Sequence, residues 1–131
     1  MPSNASAVLA EKFLHAFALH PDEFGPLLTD DARWWYPKSA VDKGFLKSAC
    51  AEGRDAILHG LRVAGYKWVE LSLLHLIEEG DMLSVHAHGE GETLTGKAYS
   101  NNYSFLLRLV DGKIAEGWEY VDTAYVFALF E

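Results

Sequence analysis

The stretch GKAYSNNYSFLLRLVDGKIAEGWEYVD, Gly96 to Asp122, holds two runs of strand-forming residues, Lys97 to Val110 and Lys113 to Val121, separated by Asp111-Gly112. Asp-Gly supplies the positive φ angles of a tight turn, so the stretch reads as one long antiparallel β-hairpin. Successive side chains on a strand point to opposite faces. The odd positions of the first arm are Tyr99, Asn101, Tyr103, Phe105, Leu107 and Leu109; the even ones are Ser100, Asn102, Ser104, Leu106, Arg108 and Val110. The odd face is the more apolar and should meet a second layer. Asn101 and Tyr103 then sit on an inward wall, where an amide and a phenol need hydrogen-bond partners or line a cavity.

Two more strands precede the hairpin, Trp68 to Glu78 and Met82 to Glu92, with reversals at Gly80-Asp81 and Leu94-Thr95-Gly96. Arg33 to Tyr36 is a shorter aromatic strand that Pro37 confines to an edge or an end, with Trp34 and Tyr36 on one face and Trp35 on the other. Lys38 to Gly53 keeps no period and reads as a loop or a partly helical lid. Ala5 to His20 has helical spacing at Val8, Leu9, Phe13, Phe17 and Leu19 and ends at Pro21. Asp22 reads as the N-cap of a second helix through Leu28, and a third spans Ala56 to Ala64 with Gly65 as its stop. Tyr125 to Phe130 is too apolar for a free tail. Three helices before a run of antiparallel strands predict an α+β fold with the helices on one face of the sheet.

A length of 131 residues suits one domain, expected to span 1–131. Hydrophobic residues make up 50% and charged ones 23%, an ordinary globular balance. The formal charge of -8 repels phosphate backbones, and no basic stripe offsets it, so no nucleic-acid partner is expected. No apolar run approaches the roughly 18–20 residues that cross a bilayer, and no secretory signal is visible; no membrane association and a cytoplasmic location are expected. Cys50 is the only cysteine, so no internal disulfide can form, and nothing nearby in sequence activates its thiol.

The second arm of the hairpin carries two carboxylates, Glu119 and Asp122, whose spacing puts them on opposite faces of an unbroken strand. A carboxylate buried among aromatics has a raised pKa and suits acid/base work near neutral pH. Equally, Asp122 would serve as a cap for the C-terminal segment, and Glu119 as one half of a surface ion pair. His86, His88 and Glu90 share one face of their strand. Such a row describes a metal site or a half-exposed strand with solvated histidines; no metal and no cofactor are expected. Phosphate-cradling glycine loops and a Gly-x-Ser-x-Gly elbow are absent from the sequence, which removes nucleotide transfer and covalent serine chemistry.

Extended to GKAYSNNYSFLLRLVDGKIAEGWEYVDTAYV, the hairpin resembles the C-terminal signature of SnoaL-like proteins. These belong to the ketosteroid isomerase and polyketide cyclase superfamily, with the nuclear-transport-factor cone fold. LLTDDARWWYP and EGRDAI are similar to that superfamily's exit from the second helix and entry to the third, so the resemblance covers nearly the whole chain. It implies a strongly curved, mostly antiparallel sheet with three N-terminal helices on its concave face, forming a cone-shaped pocket. Lining residues carried over from the family are Trp34, Tyr36, Asn101, Tyr103 and Phe105. In the limonene epoxide hydrolase branch a last-strand carboxylate falls at Glu119, and an Arg-x-Asp pair falls at His86 and His88 by an ungapped count. This chain departs from that branch. The arginine that many relatives have before Glu-Tyr-x-Asp-Thr is Trp118 here.

The resemblance implies a small apolar, oxygen-bearing ligand and, if the protein is an enzyme, proton-transfer chemistry of the isomerase, cyclase or hydratase type. Glu119 would be the acid/base, tuned by His86 or His88, with Asp122 in reserve and Tyr103, Tyr36 and Asn101 donating to a developing oxyanion. A non-catalytic binding module using the same pocket, or a cone filled by its own side chains, are the other readings. The even face of the hairpin, with Leu106 and Val110, continues onto Trp118 and Tyr120. An apolar sheet back of this kind, and the family's habit of pairing through it, imply a homodimer.

Overall fold

The Ser3 hydroxyl accepts the Ser6 amide and so caps the first helix, α1, which runs Asn4–Phe17 in the computed structural model of residues 1–62 and 65–131. Its stripe of Leu9, Ala10, Phe13, Leu14 and Ala16 is buried, while Val8 is exposed. The helix ends earlier than the spacing suggests. Leu19 takes a left-handed φ of 72°, turning the chain so that Pro21 becomes the first residue of α2, Pro21–Phe24. A helix-start proline loses no hydrogen bond there. His20, not Asp22, holds the N-cap position, and a single 3-10 turn, Gly25–Leu27, replaces the rest of the predicted second helix.

The remaining elements are β1 Leu28–Trp35, α3 Lys38–Asp42, β2 Cys50–Glu52, α4 Arg54–Arg62, β3 Tyr66–Glu79, β4 Met82–Thr93, β5 Ala98–Val110, β6 Lys113–Val121 and α5 Thr123–Leu129. The end of the third predicted helix, Val63 and Ala64, lies outside the described residues. The expected lid divides into α3 and the short strand β2, which pairs antiparallel with β1. The C-terminal segment is helical, and the Asp122 side chain accepts the Tyr125 amide as its N-cap.

Among the described residues, six strands form one mixed sheet in the order β2-β1-β6-β5-β4-β3. Only β1 and β6 run parallel; the other pairs are antiparallel. Asp111 at φ 51° and Gly112 at φ 78° close the β5–β6 hairpin with both central residues in the left-handed region, as a two-residue hairpin turn requires. Parity holds along β5: Tyr99, Asn101, Tyr103, Phe105 and Leu107 are buried and their even neighbours largely exposed.

The inner sheet face meets the helices over an aromatic cluster. Phe13 packs edge-on to Phe105 at 4.9 Å and lies 5.8 Å from Trp34, while Phe17 stacks on Trp34 at 5.5 Å. Full burial of each such ring contributes about 1.5–3 kcal/mol. Trp34 reaches this depth because position 117 is glycine: a Cβ there would lie 2.3 Å from the indole ring. None of the described helices is long and apolar enough to cross a membrane.

Candidate functional site

Between the helices and the inner sheet face lies a cavity of about 290 Å³ with a largely hydrocarbon lining. Phe17, Leu19 and Phe24 line it from the α1–α2 corner, Ile57 and Leu61 from α4, Val126 and Phe127 from α5, and Phe45 and Leu46 from the segment after α3. Its polar residues are few: one carboxylate, Glu119, the phenols of Tyr36, Tyr66, Tyr99 and Tyr103, and Thr123, with the Trp34 indole beside them.

Glu119 sits opposite Phe105 in the β5–β6 ladder, on the inner face. The residue is half-buried and lines the cavity. Trp34 Nε1 donates to Glu119 Oε1 at 2.9 Å. Burial pushes the carboxyl pKa up to about 7, and the Trp34 donor only partly opposes the shift. A carboxyl of this kind holds comparable acid and base populations near neutral pH, the condition under which it both gives and takes protons efficiently.

The phenols move the other way from acidity. Burial, then the nearby Glu119 charge, pushes Tyr36 well above the ordinary phenol range. Burial and the adjoining Tyr99 do the same for Tyr66 and Tyr103. Burial likewise raises Tyr99, against the hydrogen bond from Tyr103. All four therefore stay protonated, as hydrogen-bond donors rather than bases. Tyr99 and Tyr103 hydroxyls bond to each other, and the Tyr66 ring lies 4.8 Å from that of Tyr99. Tyr36 reaches the cavity across α4 at Gly60, where a Cβ would stand 2.7 Å from its hydroxyl oxygen.

Of the residues singled out from the sequence, Trp34, Tyr36, Tyr103 and Glu119 converge on the cavity. Asn101 is buried but spends its amide on the backbone: Nδ2 donates to the Asp122 carbonyl at 3.3 Å, and Oδ1 accepts the Asn102 N–H at 2.8 Å. Phe105 lies beneath the lining, within the aromatic cluster. The exposed Asp122 carboxylate is the α5 cap and does not line the cavity. His86 and His88 do not tune Glu119. Their strand neighbours Val85 and Ala87 take the buried positions, so both imidazoles stand on the outer face of the sheet, the opposite side from Glu119. His86 Nδ1 faces His75 Nδ1 at 3.0 Å. His88 bridges Asn102 Oδ1 at 2.8 Å and Glu90 Oε1 at 2.7 Å, bonds that raise its pKa, Asn102 contributing most.

Tyr99 and Tyr66 line the cavity in addition to the residues that the sequence singles out. Tyr99 shares the inward parity of Asn101 and Tyr103, so its signal was present two positions upstream. Tyr66 had none, because β3 starts before the Trp68 at which its strand pattern becomes readable.

Comparison with known proteins agrees with this architecture. The SnoaL-like domain family matches residues 10–117. An NTF2-like protein of unknown function from Burkholderia pseudomallei superposes with a TM-score of 0.82 at 18% identity, covering 97% of this chain and 98% of that one. A putative SnoaL-like polyketide cyclase from Jannaschia sp. gives 0.81 at 16% identity over 98% of this chain and 94% of that one. A protein of ketosteroid isomerase-like fold from Catenulispora acidiphila, in complex with trimethylamine, gives 0.70 at 17% identity over 86% and 83%. At these identities the likeness concerns the fold alone. No curated protein sequence matches the chain. With most of its length matched and the α+β cone in place, the chain belongs to the SnoaL-like domain family.

Proposed function

We propose that the protein binds a small, mostly apolar, oxygen-bearing molecule in the cone cavity and moves a proton on it, as an isomerase, cyclase or hydratase would. The observation that carries this reading is Glu119: the one carboxyl, raised to about 7, in a cavity lined mostly by hydrocarbon and phenol groups. In its ionised form it takes a proton from carbon next to a carbonyl. Tyr36 or Tyr66, fixed as donors, would stabilise the resulting oxyanion, and the proton returns from Glu119 at a second position. Solved relatives of cyclase and isomerase type support that class of chemistry.

The test is proton exchange on carbon. A panel of cyclic ketones and 1,3-dicarbonyl compounds in D2O should include members whose α-protons exchange faster with wild type. Glu119→Gln should lower that rate roughly 100-fold or more, the usual worth of a positioned acid/base. Exchange that survives the substitution would remove Glu119 from the chemistry.

A second reading, a binding module without turnover, draws on the Tyr99–Tyr103 bond, which ties two of the four phenols to each other rather than to a ligand. Under it, a ligand is recovered unaltered and its affinity ignores Glu119→Gln. In either case two copies are proposed to pair through the outer sheet face. There Ile77, Ser84, Leu106 and Trp118 form one row across β3, β4, β5 and β6, and Tyr120 is 57% exposed. Monomers at micromolar concentration in a sedimentation run would refute the pairing. A cytoplasmic setting fits a chain whose one thiol, Cys50, is free.

A further inference from the structure

The corner between α1 and α2 brings together three side chains that the cavity does not use. His15 leaves the last turn of α1, His20 occupies the N-cap of α2, and Glu23 sits within α2. The left-handed Leu19 between the helices folds His20 back over His15, so that the two imidazoles stack at 4.5 Å, 8° from parallel. Glu23 Oε2 lies 3.0 Å from His15 Nε2 and 3.7 Å from His20 Nδ1, and one donor atom from each residue falls within 4.8 Å of the others. The corner is pinned by backbone bonds: the His20 amide donates to Ala16, and the Glu23 and Phe24 amides both donate to the His20 carbonyl.

We propose that His15, His20 and Glu23 form a divalent-cation site of the zinc class that staples the α1–α2 corner. Two imidazole nitrogens and a carboxylate oxygen are the ligand set that such an ion takes with a water in the fourth position. As an ion pair alone the trio is poorly matched. One carboxylate faces two rings, and charging both rings would set like charges 4.5 Å apart. Unprotonated imidazole nitrogens offer lone pairs to a metal, and the two exposed rings would turn out of their parallel stack so that the ion lies in both ring planes. The other histidine clusters lack the set: His75 and His86 face each other without a carboxylate on their shared nitrogens, and His88 has Glu90 but no second imidazole. Among the described residues, His15, His20 and Glu23 alone form a convergent group of three.

The staple matters because of what lies behind it. Phe17 and Leu19, flanking the turn, and Phe24, beside Glu23, all line the cavity. A cation here would hold that wall from outside without touching the cavity contents, independent of which reaction Glu119 performs.

The experiment is isothermal titration of the whole protein, stripped of metal, with Zn2+, beside the same titration of His15→Ala, His20→Ala and Glu23→Gln. Wild type should bind one ion per chain in the micromolar range and melt at higher temperature in its presence. Each variant should lose roughly tenfold or more in affinity, together with the thermal shift, whereas His75→Ala should bind as wild type does. Leu19 methyl resonances should move on titration. Absence of binding up to millimolar Zn2+, or binding that persists in His15→Ala and Glu23→Gln, would overturn the proposal.

Discussion

Replacing Glu119 by Gln tests the electrostatics of the site without any knowledge of the substrate. The carboxyl has its pKa raised from 4.5 to about 7 in the folded chain, chiefly by burial. Below about pH 4 the folded and unfolded chains both hold the proton, and ionisation contributes nothing to stability. Between about 4.5 and 7 the unfolded chain gives up its proton while the folded one keeps it, so stability falls as pH rises. Above about 7 the penalty is complete. At about 1.4 kcal/mol per unit, the displacement corresponds to a penalty of order 3 kcal/mol. Gln keeps an oxygen for the Trp34 indole and carries no charge. Glu119→Gln should therefore match wild type in urea unfolding near pH 4.5 and exceed it by about 2–3 kcal/mol at pH 8. Equal urea midpoints at both pH values would mean that Glu119 ionises as it does in water. The proton-transfer reading would then lose its base.

Gly117→Ala puts a methyl group into the Trp34 ring and should cost about 1–3 kcal/mol, with a change in tryptophan emission as the indole moves. Unchanged thermal stability would mean that the ring has room to give. Asp122→Ala removes the α5 cap, worth about 1 kcal/mol, and should raise hydrogen exchange in Thr123–Leu129. Because Val126 and Phe127 are cavity wall, it should also weaken ligand binding. Exchange in α5 identical to wild type would refute the capping role. In an NMR titration His88 should show a pKa above the ordinary histidine value, falling on Asn102→Ala and, to a smaller extent, on Glu90→Gln. A value unmoved by both substitutions would contradict the bridging geometry.

Periodicity made the hairpin, the sheet meander and the face assignments of β5 readable, because alternation is a local property and one buried face enforces it along many residues. It could not decide where Asp122 or the histidines point. Asp122 lies where strand parity stops, and only the helix that follows reveals it as a cap. The family pattern sets His86 and His88 near Glu119, whereas their own alternation against Val85 and Ala87 puts them with the outward set. β2 left no pattern in three residues, since its pairing with Arg33–Trp35 comes entirely from the partner strand. The α1–α2 corner is hidden in the sequence for a related reason. Leucine seldom adopts the left-handed conformation, so nothing in Leu19 marks the turn that Pro21 completes.

The parallel pairing of β1 with β6 carries a consequence for synthesis of the chain. Trp34 lies beside Gly117 in that ladder, so the aromatic N-terminal third finishes its packing only when the last strand has been made. A ribosome releasing this protein exposes Phe13 without its partner Phe105 until β5 is made, and Trp34 without Gly117 until β6 follows, while β3, β4 and β5 can already join as a meander of neighbours. Glu119 arrives on the strand that closes the structure. A nascent chain halted before β6 lacks the carboxylate, its strand and the α5 wall of the cavity, and should be held by chaperones as an open, sticky intermediate rather than a smaller version of the fold.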